Sequence, residues 1–199
     1  MGIFIAIDGP NGVGKTTLIR LIERKLSETH SVIITKEPSD TPFGNKIREN
    51  EESIRGVEYA RLIANDRQNH ICNEILPVLK TKKIIISDRY IASSLALQFL
   101  DGVSLEDIWT LNKDFLKPDL YVVLSAEPHI LEKRIDKRNM LTFFEATKSR
   151  RDEMKAFYQA YDYLILNGWA LTLLNNNDNE QLEYNADFII AWILKHEEK

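Results

Sequence analysis

The segment Gly9-Pro10-Asn11-Gly12-Val13-Gly14-Lys15-Thr16-Thr17 spaces its glycines, a lysine and a hydroxyl as G-x-x-x-x-G-K-T. Residues of these types at this spacing can cradle a polyphosphate. Glycines let the backbone curl until successive N–H groups point inward, and a helix starting at the lysine adds the positive end of its dipole. The Lys15 ammonium would then reach the β- and γ-phosphates while the Thr16 hydroxyl holds Mg²⁺. Gly9, Asn11, Gly12, Val13, Gly14, Lys15, Thr16 and Thr17 are accordingly the candidate ATP-binding residues, with Lys15 also catalytic.

Asp88-Arg89-Tyr90 follows a second apolar run, Ile84-Ile85-Ile86. Asp88 has the form of a carboxylate that orients Mg²⁺ opposite Thr16, and Arg89 offers a fork of donors to a second anion beside the first. A simple ion pair between Asp88 and Arg89 is the plain alternative. Farther on, Lys133, Arg134, Lys137 and Arg138 form a basic cluster. Arg134 is a candidate ATP ligand, and Arg138 a candidate for stabilising charge on a transferring phosphoryl group. Basic residues are also favoured at helix C-termini by the macrodipole alone.

These groups need a scaffold that brings strand ends together. Ile3 to Ile7 reads as a buried strand, and Leu18, Ile19, Leu21, Ile22 and Leu26 keep the spacing of a helical face. Val32 to Thr35 is a second strand, closed by the proline-rich loop Lys36 to Pro42. Short helical structure is expected within Asn45 to Arg55, and a helix from Val57 to Leu79 with a kink or junction at Pro77. Ser93 to Leu100 is helical, and Ser104 with Asp107 caps a helix through Phe115. Further strands are predicted at Leu120 to Leu124 and Leu171 to Leu174, with helices over Pro128 to Lys137, Phe144 to Leu166 and a last segment ending near His196. Strands separated by helices imply an α/β fold with a five-stranded parallel sheet flanked by helices, the three-layer arrangement of P-loop NTPases. Ligands in such sheets bind beyond the carboxyl ends of the strands. One domain is expected over 1–199.

Composition narrows the function. A formal net charge of −4 argues against a nonspecific nucleic-acid binder. Cys72 is the sole cysteine, so no intrachain disulfide or thiolate metal cage is expected. No segment reaches the ~20 apolar residues of a membrane span, and the cytoplasm is the default compartment.

Taken in order, these motifs resemble the thymidylate kinase family of nucleoside monophosphate kinases. Thr35-Lys36-Glu37-Pro38-Ser39-Asp40-Thr41-Pro42 is similar to its Thr-Arg-Glu-Pro-Gly-Gly-Thr segment, and Ala64-Asn65-Asp66-Arg67 to its Ala-x-Asp-Arg helix motif. Asp88-Arg89-Tyr90, continued by Ser93, Ala96 and Gln98, follows its Asp-Arg-Tyr signature. The resemblance implies phosphoryl transfer from ATP, with Mg²⁺, to a nucleoside monophosphate, dTMP before others, by a homodimer. It implies an acceptor site of Asn11, Glu37, Arg48, Ile63, Arg67, Arg89, Ser94, Gln98 and Phe144, with Arg67 reading the base and Arg89 the acceptor phosphate. Residues 134–145 correspond to the lid. Departures are Asn11 for an acidic P-loop residue, Lys36 for arginine, Ile63 for an aromatic ring, Leu97 for tyrosine, and Thr142-Phe143 for Asp-Arg. A kinase for another pyrimidine-like nucleotide or nucleoside is the alternative within the class. A nucleotide-dependent regulatory ATPase lies outside it, and Asn112-Lys113-Asp114 lacks the spacing of a guanine-reading motif.

Overall fold

The computed structural model describes residues 2–137 and 143–197; Arg138 and the expected break over 139–142 lie outside them. Strands β1 (Ile3–Asp8), β2 (Val32–Lys36), β3 (Ile84–Asp88), β4 (Leu120–Ser125) and β5 (Thr172–Asn175) form one parallel sheet in the order β2-β3-β1-β4-β5. The central strands carry isoleucine and valine without polar alternation because both of their faces are covered. β2 and β5 lie at the edges and are only partly buried. The register pairs Ile7 and Lys36 with Asp88 across β1, β3 and β2. Three strands therefore release their chains at one edge, and the candidate groups emerge there together.

Helices flank the sheet. α1 (Lys15–Leu26) packs against α10 (Asn179–Glu197), and α5 (Ile91–Leu100) against α9 (Arg150–Leu166). Ile5, Ile7, Leu18, Ile86, Leu95 and Phe157 are wholly enclosed in the core between them. Each such apolar side chain contributes about 1.5–3 kcal/mol by leaving water. Truncating Ile5 to alanine would cost about 2–5 kcal/mol.

The remaining helices are α2 (Pro42–Glu49), α3 (Gly56–His70), α4 (Leu76–Lys80), α6 (Leu105–Asn112), α7 (Pro128–Ile135) and α8 (Phe143–Thr147). Between α3 and α4 runs a π-helical turn, Ile71–Ile75, in which the Leu76 N–H bonds the Ile71 carbonyl five residues back. Pro77 has no N–H to give, and the widened turn is how the helix absorbs it. α6 ends at Asn112, short of Phe115; the Lys113 N–H still bonds the Trp109 carbonyl, and the Asn112 side-chain amide donates to the Ile108 carbonyl at 2.6 Å. The single helix expected from Phe144 to Leu166 is two. Ser149 adopts an extended conformation and its hydroxyl accepts the Asp152 N–H at 3.1 Å, starting α9 afresh. Among the described residues no helix is long and apolar enough to cross a membrane.

Candidate active site

The P-loop turns where side chains would obstruct it. Gly9 has φ 145°, and a Cβ there would lie 2.6 Å from the Leu124 carbonyl oxygen; at Gly14, with φ 100°, it would meet the Asn176 amide at 2.6 Å. Both positions accept only glycine. Lys15 is buried at the start of α1, and its ammonium donates to the Gly9 and Pro10 carbonyls at 2.9 and 3.0 Å. Burial, with help from Arg89, lowers the Lys15 pKa to about 8 against the opposing charges of Asp88, Glu153 and Asp8.

Thr16 Oγ1 donates to Asp88 Oδ2 at 2.6 Å. Two oxygen donors so placed fit a hard cation such as Mg²⁺, which keeps several waters and takes one or two protein oxygens. Arg89, one residue on, has φ 80°, an unusual conformation for a side-chain-bearing residue. Its guanidinium is held by the Ser93 hydroxyl at 3.0 Å and by Asn11 Oδ1 at 2.7 Å.

Beneath them lies Asp8, a fully buried carboxylate that receives the Ser93 hydroxyl, the Tyr121 hydroxyl at 2.7 Å and the Tyr90 N–H at 3.0 Å. Burial raises its pKa against the hydrogen bonds from Ser93 and Tyr121 and the charges of Arg89 and Lys15. Phe4, Tyr90 and Tyr121 meet edge-on around this centre, at 5.3 and 6.0 Å between rings.

A cleft of about 640 Å³ runs from the P-loop past Asp88 and Arg89 to α3 and α5. At its far end Glu37 binds Arg67 at 2.7 Å, both buried. Arg67 is further fixed by Asn112, by the Tyr90 carbonyl at 3.2 Å and by Ser94 Oγ at 3.0 Å. Burial alone would lower the Arg67 pKa, but the Glu37 charge outweighs it and holds the pKa raised. Gln98 also lines this end, and among the described residues its buried Oε1 has no hydrogen-bond partner.

The comparisons with known proteins decide the family. A family model described as thymidylate kinase matches residues 7–185. The chain belongs to the thymidylate kinase family. A probable thymidylate kinase of Caldivirga maquilingensis is 39% identical over 199 residues, covering 94% of this chain and 95% of that protein. Another, from Thermococcus onnurineus, is 38% identical over 168 residues, 78% of this chain and 82% of the relative. The crystal structure of the Ehrlichia chaffeensis thymidylate kinase superposes with a TM-score of 0.72 at 22% identity, covering 96% of this chain and 98% of that one, and so shares the fold.

As a member of the thymidylate kinase family the chain is a nucleoside monophosphate kinase with ATP as phosphate donor. Most of the residues expected from sequence line the one cleft: Asn11, Gly12, Gly14, Lys15, Thr16, Thr17, Glu37, Arg48, Ile63, Arg67, Asp88, Arg89, Ser94, Gln98, Arg134 and Phe144. Gly9 and Val13 are buried and do not line it; the Val13 carbonyl accepts from Asn176 at 2.7 Å and Arg134 at 3.3 Å. Arg48 reaches back to the Pro38 carbonyl and to Asp40 at 3.0 Å, bracing the loop that presents Glu37. Arg134 also holds the Asn176 and Asn177 carbonyls at 2.9 and 3.0 Å, and burial lowers its pKa.

Sequence reasoning overlooked Asp8, Asn112, Glu51, Tyr59 and Glu153. Asp8 had a signal, a carboxylate ending an apolar strand directly before Gly9. Glu51 lines the cleft from the charged stretch Asn45 to Arg55 and Tyr59 from α3, the helix expected from Val57, and burial raises the pKa of both. Glu153, buried in α9, accepts the Asn11 N–H at 2.6 Å across 142 positions of sequence, a separation no local pattern reveals.

Proposed function

We propose that this enzyme transfers the γ-phosphoryl group of ATP to dTMP, giving dTDP and ADP. The observation that carries the reading is the cleft itself: the Arg89 guanidinium beside the P-loop, and at the other end a buried Gln98 carbonyl oxygen lacking a donor among the described residues. An unpaired buried acceptor costs about 1–3 kcal/mol, which a pyrimidine ring N–H would relieve. The names of the relatives point to the same acceptor.

In this reading Lys15 neutralises the donor phosphates, Arg89 aligns the acceptor phosphate, and Arg138 covers charge on the group in transit. Donor and acceptor are held in line, and positioning with electrostatics does most of the work. Thr16 and Asp88 would hold Mg²⁺, which supplies charge neutralisation between the donor phosphates. Arg67, Glu37, Ser94 and Gln98 face the base, and Asn11 offers the acceptor sugar an amide. We take residues 1–199 as one kinase domain with a lid over about 134–145. We place it in the cytoplasm as a homodimer in which α3, with Val57 exposed, packs against its twin; sedimentation tests the assembly.

The test is a screen of nucleoside monophosphates and nucleosides with ATP and Mg²⁺, following ADP release. Highest kcat/KM with dTMP is expected. Strong turnover of a nucleoside and none of any monophosphate would overturn the reading.

A further inference from the structure

Glu153 is a carboxylate with no exposed surface. Isolated charges are not left in protein interiors, and this one is engaged on both oxygens. Oε1 accepts the backbone N–H of Asn11 at 2.6 Å, and Oε2 accepts from Arg150 Nη1 at 2.8 Å. Arg150, itself buried, turns its other terminal nitrogen to the carbonyls of Phe144 at 3.1 Å, Glu145 at 2.9 Å and Lys148. The pair thus ties α8 and the start of α9 to the main chain of the P-loop.

The connection continues beyond the P-loop backbone. The Asn11 side chain accepts Arg89 Nη2 at 2.7 Å, and Arg89 Nη1 donates to Ser93 at 3.0 Å. One residue, Asn11, is therefore gripped through its N–H by Glu153 and through its amide oxygen by Arg89. Buried ion pairs often add little net stability, since desolvation offsets attraction. A pair whose members are both bonded to backbone groups of separate segments has another use, which is to fix those segments relative to each other.

We infer that Glu153 is a positioning residue for phosphoryl transfer: held by Arg150, it sets the Asn11 main chain and, through the Asn11 amide oxygen, the orientation of Arg89 toward the acceptor phosphate. The inference rests on the reading of Arg89 as the acceptor-phosphate ligand. The N–H of Asn11 points to α9 and leaves the phosphate-binding set to the residues after it. Losing Glu153 would free Asn11 to turn, and Arg89 would lose its fixed partner while keeping its charge.

The test compares Arg150→Met/Glu153→Leu, an apolar replacement of the pair, with Glu153→Gln, which keeps an acceptor oxygen toward Asn11. For each, dTMP and ATP kinetics are measured alongside equilibrium binding of a non-hydrolysable ATP analogue and the melting temperature. The expected result is a rise of about tenfold or more in KM for dTMP in the apolar pair, an ATP-analogue Kd changed less than about threefold, and recovery of most of the loss in Glu153→Gln. Should the apolar pair not fold, Glu153→Asp, a carboxylate one methylene shorter, carries the same comparison. Equal weakening toward both nucleotides, or losses that follow melting temperature alone, would overturn the inference. Arg89→Ala separates the two readings. If it raises the KM for dTMP while the Glu153 variants do not, positioning by Glu153 fails; if it leaves that KM unchanged, the acceptor role of Arg89 fails first.

Discussion

Thr16 Oγ1 stands 2.6 Å from Asp88 Oδ2, although the two residues come from different strand ends. The parallel register of β1 and β3 brings them together, since Ile7 pairs with Asp88 and the P-loop begins two residues later. If this oxygen pair holds Mg²⁺, Asp88→Asn and Thr16→Val should each raise the Mg²⁺ concentration for half-maximal activity by about 10- to 100-fold. A Mg²⁺ titration at saturating ATP and dTMP reads this directly, and unchanged half-saturation in both variants would remove the pair from the metal.

Lys15 should stabilise function at the expense of the fold. Its pKa falls from 10.5 to about 8 on folding, chiefly by burial. The unfolded chain then binds more protons between those values, so the contribution of this group to stability rises with pH across that window. Below about pH 8 the whole cost is present, about 3 kcal/mol. Lys15→Met is therefore expected to be more stable than the parent at pH 7 and inactive, with the difference shrinking as pH approaches 10.5. Urea denaturation of both proteins at pH 7 and 10 measures it. A variant less stable than the parent at pH 7 would refute the assignment.

Most of the architecture was legible because periodicity and strand-end chemistry are local. The runs Ile3 to Ile7, Ile84 to Ile86 and Leu120 to Leu124 lack polar alternation, and all three became central strands. The P-loop and Asp88-Arg89 declare themselves by residue type and spacing. What escaped is non-local or depends on one cap. Ser149 starts a new helix inside a stretch that hydrophobic spacing carries through, and Glu153 of α9 meets the P-loop only through the fold. Arg150 falls inside the single helix expected from Phe144 to Leu166 and belongs to no motif, yet it is 4% exposed and bonded throughout.

Arg138→Ala is expected to lower kcat by about 10³- to 10⁵-fold, the usual cost of losing an arginine that acts on the transferring phosphoryl group. ATP binding should change far less. Single-turnover kinetics with saturating dTMP isolates the chemical step, and a loss below about threefold would take Arg138 out of this role.

His70 is enclosed behind the Glu37–Arg67 end of the cleft, with Nε2 at 2.6 Å from Thr35 Oγ1 and Nδ1 at 3.4 Å from Glu37. Burial opposes its charging, but the hydrogen bond and charge of Glu37, with Glu74 and Asp66 behind, hold its pKa raised. A raised folded-state value means that its stabilisation is complete below the unfolded pKa of about 6.5 and is lost as pH rises through the folded value. Relative to His70→Gln, the parent should therefore lose stability as pH increases above 6.5. Thermal melts of the two proteins across pH 6 to 9 follow the difference, and a difference that grows with pH would contradict the Glu37 contact.

Tyr121 tests how the floor of the site is held. Its hydroxyl accepts the Ala92 N–H at 2.6 Å and donates to Asp8 at 2.7 Å, bridging the start of α5 to the end of β1. Burial and the neighbouring Asp8 charge push the phenol well above its ordinary pKa, so it remains an O–H donor wherever the protein is folded. In Tyr121→Phe the Ala92 N–H, one of the first-turn donors that a helix cannot satisfy internally, loses its partner inside the protein. The buried donor and the weakened carboxylate should together cost about 1–3 kcal/mol. Asp8 also receives Ser93, which holds Arg89, so the substitution should raise the KM for dTMP while leaving ATP-analogue binding near that of the parent. Equilibrium unfolding gives the first quantity and steady-state kinetics the second. Full stability in Tyr121→Phe would mean that the Ala92 N–H finds another acceptor, and the bridge would then have no part in holding the site.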